Sequence, residues 1–372
     1  MKIGARIGYV FFLAAILTVF WAARLYFVEH AQLKALRFYW AGSMFQADQS
    51  LGYTLRPSSR AVMTYAGPRR YEVRTDDLGL RIPVENDRPR ESGGIAGVGC
   101  SVMFGHGFAA EKTALEEVGR HFDLPVYNLG VPAYSPVSVL LRLEKMLPQL
   151  NPAVVIYFYI EQHDQRAVSA TAPSWLGMRF QPFFVKQDAA SALQIHPPLA
   201  DNAAAFKLGD ALQDLYIRPL AAGQSIPWDF RHFTALSAFK LDEMQRQVRL
   251  RIYEKFFSAV PAQAETLEAI LTWMAGLTQR HQARLVVACV PSSEGVCPEA
   301  LRRIAVKQSE KEKWLFVDLR QGLEEPASGA HYRELYELDP RDDHPNERFN
   351  AEAARYLIQQ MERTGFLAAG KG

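Results

Sequence analysis

Residues with the chemistry for acyl transfer stand at the ends of predicted strands in this sequence. Ser101 follows the first apolar run. The other candidates follow later runs or precede the last helix, and they are Asn128, Gly130, His163, Asp164, Asp342 and His344. Because ligands bind beyond the carboxyl ends of parallel strands, we expect these residues to meet at one edge of a sheet. Together they supply a hydroxyl nucleophile, a base, a carboxylate to orient the base and N–H donors for an oxyanion.

Each of these residues also has a simpler structural interpretation when it is considered alone. Ser101 is typical of a helix N-cap, Asp342 is typical of a turn, and His344 could merely begin the last helix. Asp164 is interpreted as a cap of the segment that follows it. The functional prediction therefore rests on the whole set and not on any single member.

A metal site is not favoured by the histidine spacing. His106 lies between two glycines and is interpreted as a loop histidine and not as a ligand. His106, His163, Asp342 and His344 are conceivable ligands, but the sequence has no pair of histidines four residues apart to support them. We predict a site without metal or other cofactor.

The elements that position these residues alternate from about residue 94 onward. Apolar runs suited to buried parallel strands are GGIAGVG, PVYNLGVPA, AVVIYFYI, ARLVVACVP and WLFVDL. Stretches with helical spacing are TALEEVGRHF, PVSVLLRLEKMLPQL, AETLEAILTWMAGLTQRH and NAEAARYLIQQMERTG. Strand–helix alternation of this kind predicts a doubly wound, three-layer α/β/α domain with a parallel sheet.

Two regions interrupt or extend that pattern. Residues 51–92 contain AVMTY and YEVRT joined by AGPRR, which predicts a small β-hairpin appendage. Between about 166 and 262 the alternation lapses into a stretch rich in aromatic residues and proline, with one predicted helix in DEMQRQVRLRIYEKFF. This stretch is too long for a plain connection. We therefore predict a main domain over 93–366 with an insertion that covers the active-site edge of the sheet.

The N-terminus carries an apolar segment of about the length needed to cross a bilayer. The run IGYVFFLAAILTVFWAA has no charge, and Arg24 just after it can reach the interface. A cleaved signal peptide is the alternative, because Lys2 and Arg6 form a basic start, but the run is long and ends in a poor processing site. We predict an uncleaved single-pass anchor over 1–28 and a juxtamembrane helix over 29–50. Basic residues are nearly balanced on the two flanks, so charge does not set the orientation.

Composition and cysteine usage narrow the class of protein further. The 372 residues are 49% hydrophobic and carry a net charge of +2, with Lys and Arg scattered along the chain. This pattern predicts a folded core and no nucleic-acid partner. Cys100, Cys289 and Cys297 form no CxxC pair and no zinc spacing. A disulfide between Cys289 and Cys297 and a buried strand thiol at Cys289 both remain open.

Taken in order, the segments around the candidate residues resemble the sequence blocks of the SGNH (GDSL-type) hydrolases. The matching blocks are GCSVMFG at 99–105, NLGVPAY at 128–134 and DDHPN at 342–346. The resemblance covers roughly residues 50–165 and 265–365 and leaves the insertion unmatched. The upstream segment from LGYTLRPS to YEVRTDDLGLR also resembles membrane-anchored bacterial members. The resemblance implies a flavodoxin-like α/β/α fold and no cofactor.

The resemblance also implies a role for each residue of the site. Ser101 would be the nucleophile, His344 the general base and Asp342 the carboxylate that orients the base. The oxyanion hole would use the backbone N–H groups of Ser101 and Gly130, with a side chain from the third block. In that block His163 stands where the family has Asn, and its imidazole N–H can still donate a hydrogen bond.

The implied function is that of a serine esterase or O-acyltransferase that works through an acyl-serine intermediate. We expect an ester substrate outside the cytoplasm, such as a carbohydrate O-acetyl ester of an exported polysaccharide. The anchor and the resemblance imply an inner-membrane protein whose catalytic domain is periplasmic or extracellular.

Two departures from the family pattern support a second interpretation. Cys100 stands where an Asp usually precedes the nucleophile, and His163 replaces the Asn of the third block. A catalytically inactive domain that binds partner proteins in envelope polysaccharide assembly would tolerate both. The aromatic residues of the insertion suit either stacking on sugars or core packing, and they are Trp175, Phe180, Phe183, Phe184, Trp228 and Phe230.

Overall fold

The computed structural model describes most of the chain. The described residues are 2–34, 39–41, 44–64, 70–84, 91–160, 166–172, 178–186, 191–256, 261–291, 299–312, 314–323, 330–339 and 342–367. His163, Asp164, Trp175 and Cys297 lie outside these ranges, so what the sequence predicts for them stays a prediction.

The chain begins with one long helix. Helix α1 (Lys2–Arg24) continues through a π-helical turn (Leu25–His30) into α2 (Ala31–Lys34). This helix is long and apolar enough to cross a bilayer. Its side chains from 9 to 20 are exposed, apart from one that is half-buried, whereas Leu25 and His30 are buried.

Strands, and not a continued helix, follow this segment. They are β1 (Tyr39–Ala41), β2 (Phe45–Asp48), β3 (Gly52–Leu55), β4 (Arg60–Thr64), β5 (Arg70–Thr75) and β6 (Arg81–Ile82). The helix expected over 29–50 thus ends at Lys34. The aromatic residues of FYWAGSMF favour strands, and its glycine disfavours a helix. Strands β4 and β5 pair antiparallel, as the hairpin pattern predicts.

The remaining strands build the centre of the molecule and the insertion. They are β7 (Ile95–Val98), β8 (Val126–Asn128), β9 (Val154–Ile160), β10 (Thr171–Ala172), β11 (Arg179–Phe180), β12 (Phe183–Val185), β13 (Gln194–His196), β14 (Arg284–Val290), β15 (Leu315–Asp318), β16 (Glu337–Asp339) and β17 (Asp342–Pro345). Five of them run parallel in the spatial order β8-β7-β9-β14-β15. This 2-1-3-4-5 order is the flavodoxin-like doubly wound arrangement, which confirms the predicted fold class.

The antiparallel strands extend the same sheet beyond β8. Strand β6 pairs with β8 where Arg81 lies opposite Asn128, and β5, β4 and β1 continue outward from β6. Backbone hydrogen bonds therefore join β1, β4, β5 and β6 to the parallel sheet, whereas β2 and β3 pair with each other in a separate two-stranded sheet. The order of the parallel strands reverses between β7 and β9, and ligands bind at such a switch point, beyond the carboxyl ends of the strands.

Helices cover both faces of the sheet. They are α3 (Ser101–Phe104), α4 (Ala114–Phe122), α5 (Pro136–Leu150), α6 (Ala203–Leu212), α7 (Arg218–Ala221), α8 (Phe230–Phe256), α9 (Gln263–Arg280), α10 (Glu299–Glu312), α11 (Ala330–Tyr336) and α12 (Glu347–Arg363). Side chains from α5 and α9 pack with Val155 and Tyr157 of β9, and side chains from α4 and α12 pack with Ile156 and Phe158. Because both faces are covered, β9 is apolar throughout and fully buried.

Part of the insertion packs on the N-terminal helix. Leu25 joins a buried cluster with Tyr216, Leu236 and other residues of α6–α8. The imidazole Nδ1 of His30 lies 2.8 Å from the hydroxyl of Tyr216. Other parts of the insertion contact β2, β3 and α5. The predicted helix in DEMQRQVRLRIYEKFF is the second half of α8, which begins earlier, at Phe230.

The aromatic residues of the insertion divide between core and surface. Phe180, Phe183 and Phe184 are buried, so core packing accounts for them. Trp228 is half-buried against the rings of Tyr26 and His30, and Phe230 is 77% exposed.

Candidate active site

Ser101 lies where the first parallel strand turns into a helix. Strand β7 ends at Val98, and Ser101 is the first residue of α3 after a two-residue turn through Gly99 and Cys100. A side chain at Gly99 would come within 2.8 Å of Met103 Cβ, so the turn requires a residue without a side chain there. Ser101 is 6% exposed, which places its hydroxyl just below the surface at the carboxyl edge of the sheet.

His344 and Asp342 reach Ser101 from a strand near the other end of the chain. Both belong to β17, which pairs antiparallel with β16. The imidazole Nε2 of His344 lies 2.7 Å from Ser101 Oγ, and its Nδ1 lies 2.5 Å from Asp342 Oδ1. Since an ionised carboxylate only accepts, Nδ1 carries the ring proton and Nε2 accepts from the serine hydroxyl. The three side chains form one continuous line of hydrogen bonds.

The two histidines beside Asp342 hold its carboxyl in the charged form. Burial by itself raises the pKa of Asp342, but hydrogen bonds from His106 and His344 reverse this and hold it well below its usual value. The backbone N–H of His344 also donates to Oδ1 at 3.1 Å. An ionised Asp342 fixes the tautomer of His344 and stabilises the imidazolium that forms when His344 takes a proton.

His106 belongs to the same cluster, although its sequence position suggests a plain loop residue. Its Nε2 lies 3.5 Å from Asp342 Oδ2, and its ring centroid lies 4.2 Å from that of His344. Burial lowers the pKa of His106 to about 4, against the opposing hydrogen bond to Asp342, so the ring is neutral at physiological pH. Two glycines around a histidine at the end of α3 are the one sequence signal that could have indicated this placement.

Arg81 fixes the loop that carries His106. Its guanidinium donates to the backbone carbonyls of Phe104, Gly105 and Phe108. Arg81 is 1% exposed and lies over the Phe104 ring, 4.5 Å from its centroid. Burial lowers the pKa of Arg81 to about 10, so it stays charged at neutral pH. No motif in the sequence indicates this residue, because its partners are backbone carbonyl groups, which every residue type carries.

The predicted oxyanion residues are only partly described. Gly130 lies against the backbone of α3, where a side chain would come within 2.3 Å of the Phe104 nitrogen. Its N–H donates to Asn128 Oδ1 at 2.9 Å, and Asn128 Nδ2 donates to the Met103 carbonyl at 3.0 Å. Gly130 would therefore have to share or exchange this bond to hold an oxyanion. The contributions of Ser101 N–H, Gly130 and His163 remain predictions.

Cys100 is not a competing nucleophile. Its thiol is buried, and burial raises the pKa of Cys100, with smaller opposing effects from a backbone hydrogen bond of Val102 and from the charge of Arg166. The hydroxyl of Ser101 lies 3.6 Å from the Cys100 sulfur. A thiol that stays protonated is a poor nucleophile. Cys289 is likewise buried, in β14.

A cavity of about 870 Å³ lies next to the loop that carries His106, although Ser101, His106, Asp342 and His344 do not line it. Gly107, which follows His106, and Asn346, two residues after His344, belong to its lining, as do Tyr71 and Leu338. Its charged lining residues are of both signs, and they are Arg70, Glu72, Glu111, Lys112, Glu347 and Arg348. Lys112 and Glu347 form an ion pair of 2.7 Å.

His106, Asp342 and His344 also offer three donor atoms that lie within 4.8 Å of one another. A metal ion there would take a nitrogen of His344 away from Asp342 or from Ser101. The short contacts of both nitrogens fit the hydrogen-bonded line better than a ligand set.

The fold and the site together define a flavodoxin-like α/β domain with a Ser–His–Asp line of hydrogen bonds at the edge where ligands bind. No protein-family model and no curated protein sequence matches the chain.

Several solved structures are similar to this chain at low identity. TesA is 11% identical, with 72% of this chain and 98% of TesA covered and a TM-score of 0.39. A GDSL-like lipase from Bacteroides thetaiotaomicron is 11% identical, covering 75% and 92% with a TM-score of 0.35. A catalytic mutant of Axe2, an acetylxylan esterase from Geobacillus stearothermophilus, is 12% identical, covering 73% and 96% with a TM-score of 0.32.

Proposed function

We propose that this protein is a serine esterase or O-acyltransferase of the SGNH type that works through an acyl-Ser101 intermediate. The observation that carries the proposal is the 2.7 Å contact between Ser101 Oγ and His344 Nε2. Asp342 completes the line on the other side of the imidazole. A nucleophile bonded to a base, and a base bonded to an orienting carboxylate, are the arrangement that acyl transfer requires.

Each residue has a defined part in the reaction. Ser101 Oγ attacks the carbonyl carbon of the ester while its proton passes to His344 Nε2. The ester C–O bond then breaks, and the leaving alkoxide takes that proton from Nε2. In the second half, water or an acceptor hydroxyl gives its proton to Nε2 and attacks the acyl-serine carbonyl. The bond between that carbon and Ser101 Oγ then breaks, and Oγ takes the proton back from Nε2. General acid–base catalysis of this kind contributes about 10²- to 10⁴-fold to the rate.

The polar cavity next to the His106 loop supports a polar substrate, such as a carbohydrate ester. It is lined by charged groups of both signs, among them Glu111 and Lys112. Carboxylate acceptors and ammonium donors suit the hydroxyl groups of a sugar. A long acyl chain would instead need a mainly apolar pocket. An O-acetyl ester of an exported polysaccharide is therefore the substrate class that we propose.

The N-terminal helix supports a position at the membrane. Its uncharged run, 7–23, spans about 26 Å at about 1.5 Å per residue, close to the roughly 30 Å of a hydrocarbon core. From Trp21 onward the helix packs against the insertion. We propose that this run crosses the inner membrane and that the α/β domain stands on the periplasmic or extracellular side.

Labelling with a fluorophosphonate probe tests the proposed activity. The full chain, purified in detergent, should be labelled at Ser101 and should hydrolyse p-nitrophenyl acetate. Ser101→Ala should do neither, and Ser309→Ala, a half-buried serine of α10 outside the Ser101 cluster, should behave as wild type. Absence of labelling in wild type, or equal labelling of Ser101→Ala, would leave the inactive binding domain in polysaccharide assembly as the better interpretation.

A further inference from the structure

We infer that His106 is a positioning residue that holds Asp342 from the side opposite His344, so that the site is a four-residue line and not a triad. The inference rests on the proposed function, because it assigns His106 a role in that reaction. Asp342 presents Oδ1 to His344 and Oδ2 to His106. Each carboxylate oxygen therefore faces a different imidazole.

The backbone around His106 is built to place the ring in this position. Gly105 and Gly107 have φ values of +83° and +100°, which residues with side chains rarely adopt. A side chain at Gly107 would come within 2.2 Å of Leu338. The N–H of His106 donates to the carbonyl of Ser101 at 3.0 Å. The nucleophile and His106 thus belong to one turn, and any movement of one moves the other.

Charge and burial define the state in which His106 works. The ring is 8% exposed, and the groups that act on it are Asp342, His344 and Arg81. A neutral imidazole can donate through Nε2 to the carboxylate without adding a second positive charge beside His344. When His344 becomes an imidazolium during the reaction, a neutral neighbour 4.2 Å away avoids repulsion. His106 can therefore fix Asp342 without opposing the charge that develops on the base.

A purely structural role makes a different prediction from a role exerted through Asp342. If His106 acts by orienting Asp342, its removal should matter only while Asp342 is present. Removing a competing donor also leaves Asp342 to bind the imidazolium of His344 more strongly. The base would then lose its proton only at higher pH, so the acid limb of the plot of kcat/KM against pH should shift to higher pH. Loss of packing alone would lower activity without moving that limb.

The test compares His106→Gln, which keeps an N–H donor, with His106→Leu, which fills the space without one. The rate constant for fluorophosphonate labelling of Ser101 and kcat/KM for p-nitrophenyl acetate are measured on the full chain. His106→Leu should lower the labelling rate constant and kcat/KM by about 10- to 100-fold, since a misplacement of about 1 Å costs up to about 100-fold. The acid limb of its kcat/KM profile should also shift to higher pH. His106→Gln should recover most of the loss. His121→Leu, which breaks a surface pair with Glu362, is the matched control and should have no effect.

The decisive measurement repeats the His106→Leu change in an Asp342→Ala background. We expect no further loss of labelling rate there. An equal loss in both backgrounds, or wild-type rates and pH profile in His106→Leu, would overturn the inference and leave the Ser101 nucleophile intact. Absence of labelling in wild type would overturn the proposed function together with this inference, so the two failures are distinguishable.

Discussion

His344 Nε2 lies 2.7 Å from Ser101 Oγ although 243 positions separate the two residues in the chain. The parallel sheet makes this contact possible, because β7 ends at its carboxyl edge immediately before Ser101. The pair β16–β17 brings His344 to the same place. The hydroxyl and its base therefore depend on opposite ends of the domain.

Replacing Asp342 by Asn should remove most of the activity while the fold is retained. The asparagine side chain would offer an amide to His344 Nδ1 and favour the wrong tautomer, and such a change in a Ser-His-Asp triad costs about 10⁴-fold in kcat. The measurement is kcat for p-nitrophenyl acetate, with circular dichroism as a check of the fold.

The chain offers a matched control for that substitution. Asp229 bonds to His232 Nδ1 at 2.6 Å in the insertion, which is a second Asp–His pair outside the cluster around Ser101. Asp229→Asn should retain kcat. A full retention of kcat in Asp342→Asn would remove Asp342 from the proposed mechanism.

Replacing Arg81 by Met should lower stability and activity together. Three buried carbonyl groups, of Phe104, Gly105 and Phe108, lose their donor in this variant. At about 1–3 kcal/mol for each unsatisfied group, the free energy of unfolding should fall by at least about 3 kcal/mol. Denaturant titration measures this loss. Arg284→Met is the control, since Arg284 donates to the carbonyls of Gly365 and Phe366 far from the site, and its cost should be nearer 1 kcal/mol.

The stability of the protein should fall as the pH drops from about 6.5 to about 4, and part of that fall should come from His106. The pKa of His106 is about 4 in the folded protein and 6.5 in the reference state, so the unfolded chain binds the proton first as pH falls. The loss is complete below pH 4 and amounts to roughly 3 kcal/mol. Thermal melting of wild type and His106→Leu across this range measures the difference. If the melting temperature of His106→Leu fell with pH as steeply as that of wild type, a neutral, buried His106 would be contradicted.

Shortening the N-terminal helix should have two distinct effects. Removing 1–20 takes away a segment whose side chains from 9 to 20 are nearly all exposed, so the protein should leave the membrane fraction and keep its fold. Removing 1–34 also deletes Leu25, Glu29 and His30, which are buried against the insertion. This longer deletion should lower the melting temperature or cause aggregation, because it exposes the apolar cluster around Tyr216. A stable protein lacking 1–34 would show that this packing does not matter for the fold.

Much of the fold could be predicted because its signals are local. The run VVIYFYI is short, rich in β-branched and aromatic residues and without charge, which favours a strand covered on both faces, as β9 is. The helices α4, α5 and α12 are capped at their N-termini by Thr113, Ser135 and Asn346, whose side chains accept N–H bonds from the first turn. The prediction of a helix over 29–50 is wrong for β1 and β2, because β1 is held by pairing with β4 and β2 by a hairpin with β3, and neither partner lies within that range.

The sequence by itself determined which residues could do chemistry, since Ser101, Asp342 and His344 stand at predicted element ends with the right functional groups. It could not determine that His106 joins them, because that depends on two left-handed glycines and on the approach of β17 to the turn after α3. Nor could it assign Arg81, whose partners are carbonyl groups brought close only by the pairing of β6 with β8. Local patterns follow from the periodicity of each element, whereas the distances between side chains follow from packing across the whole sheet.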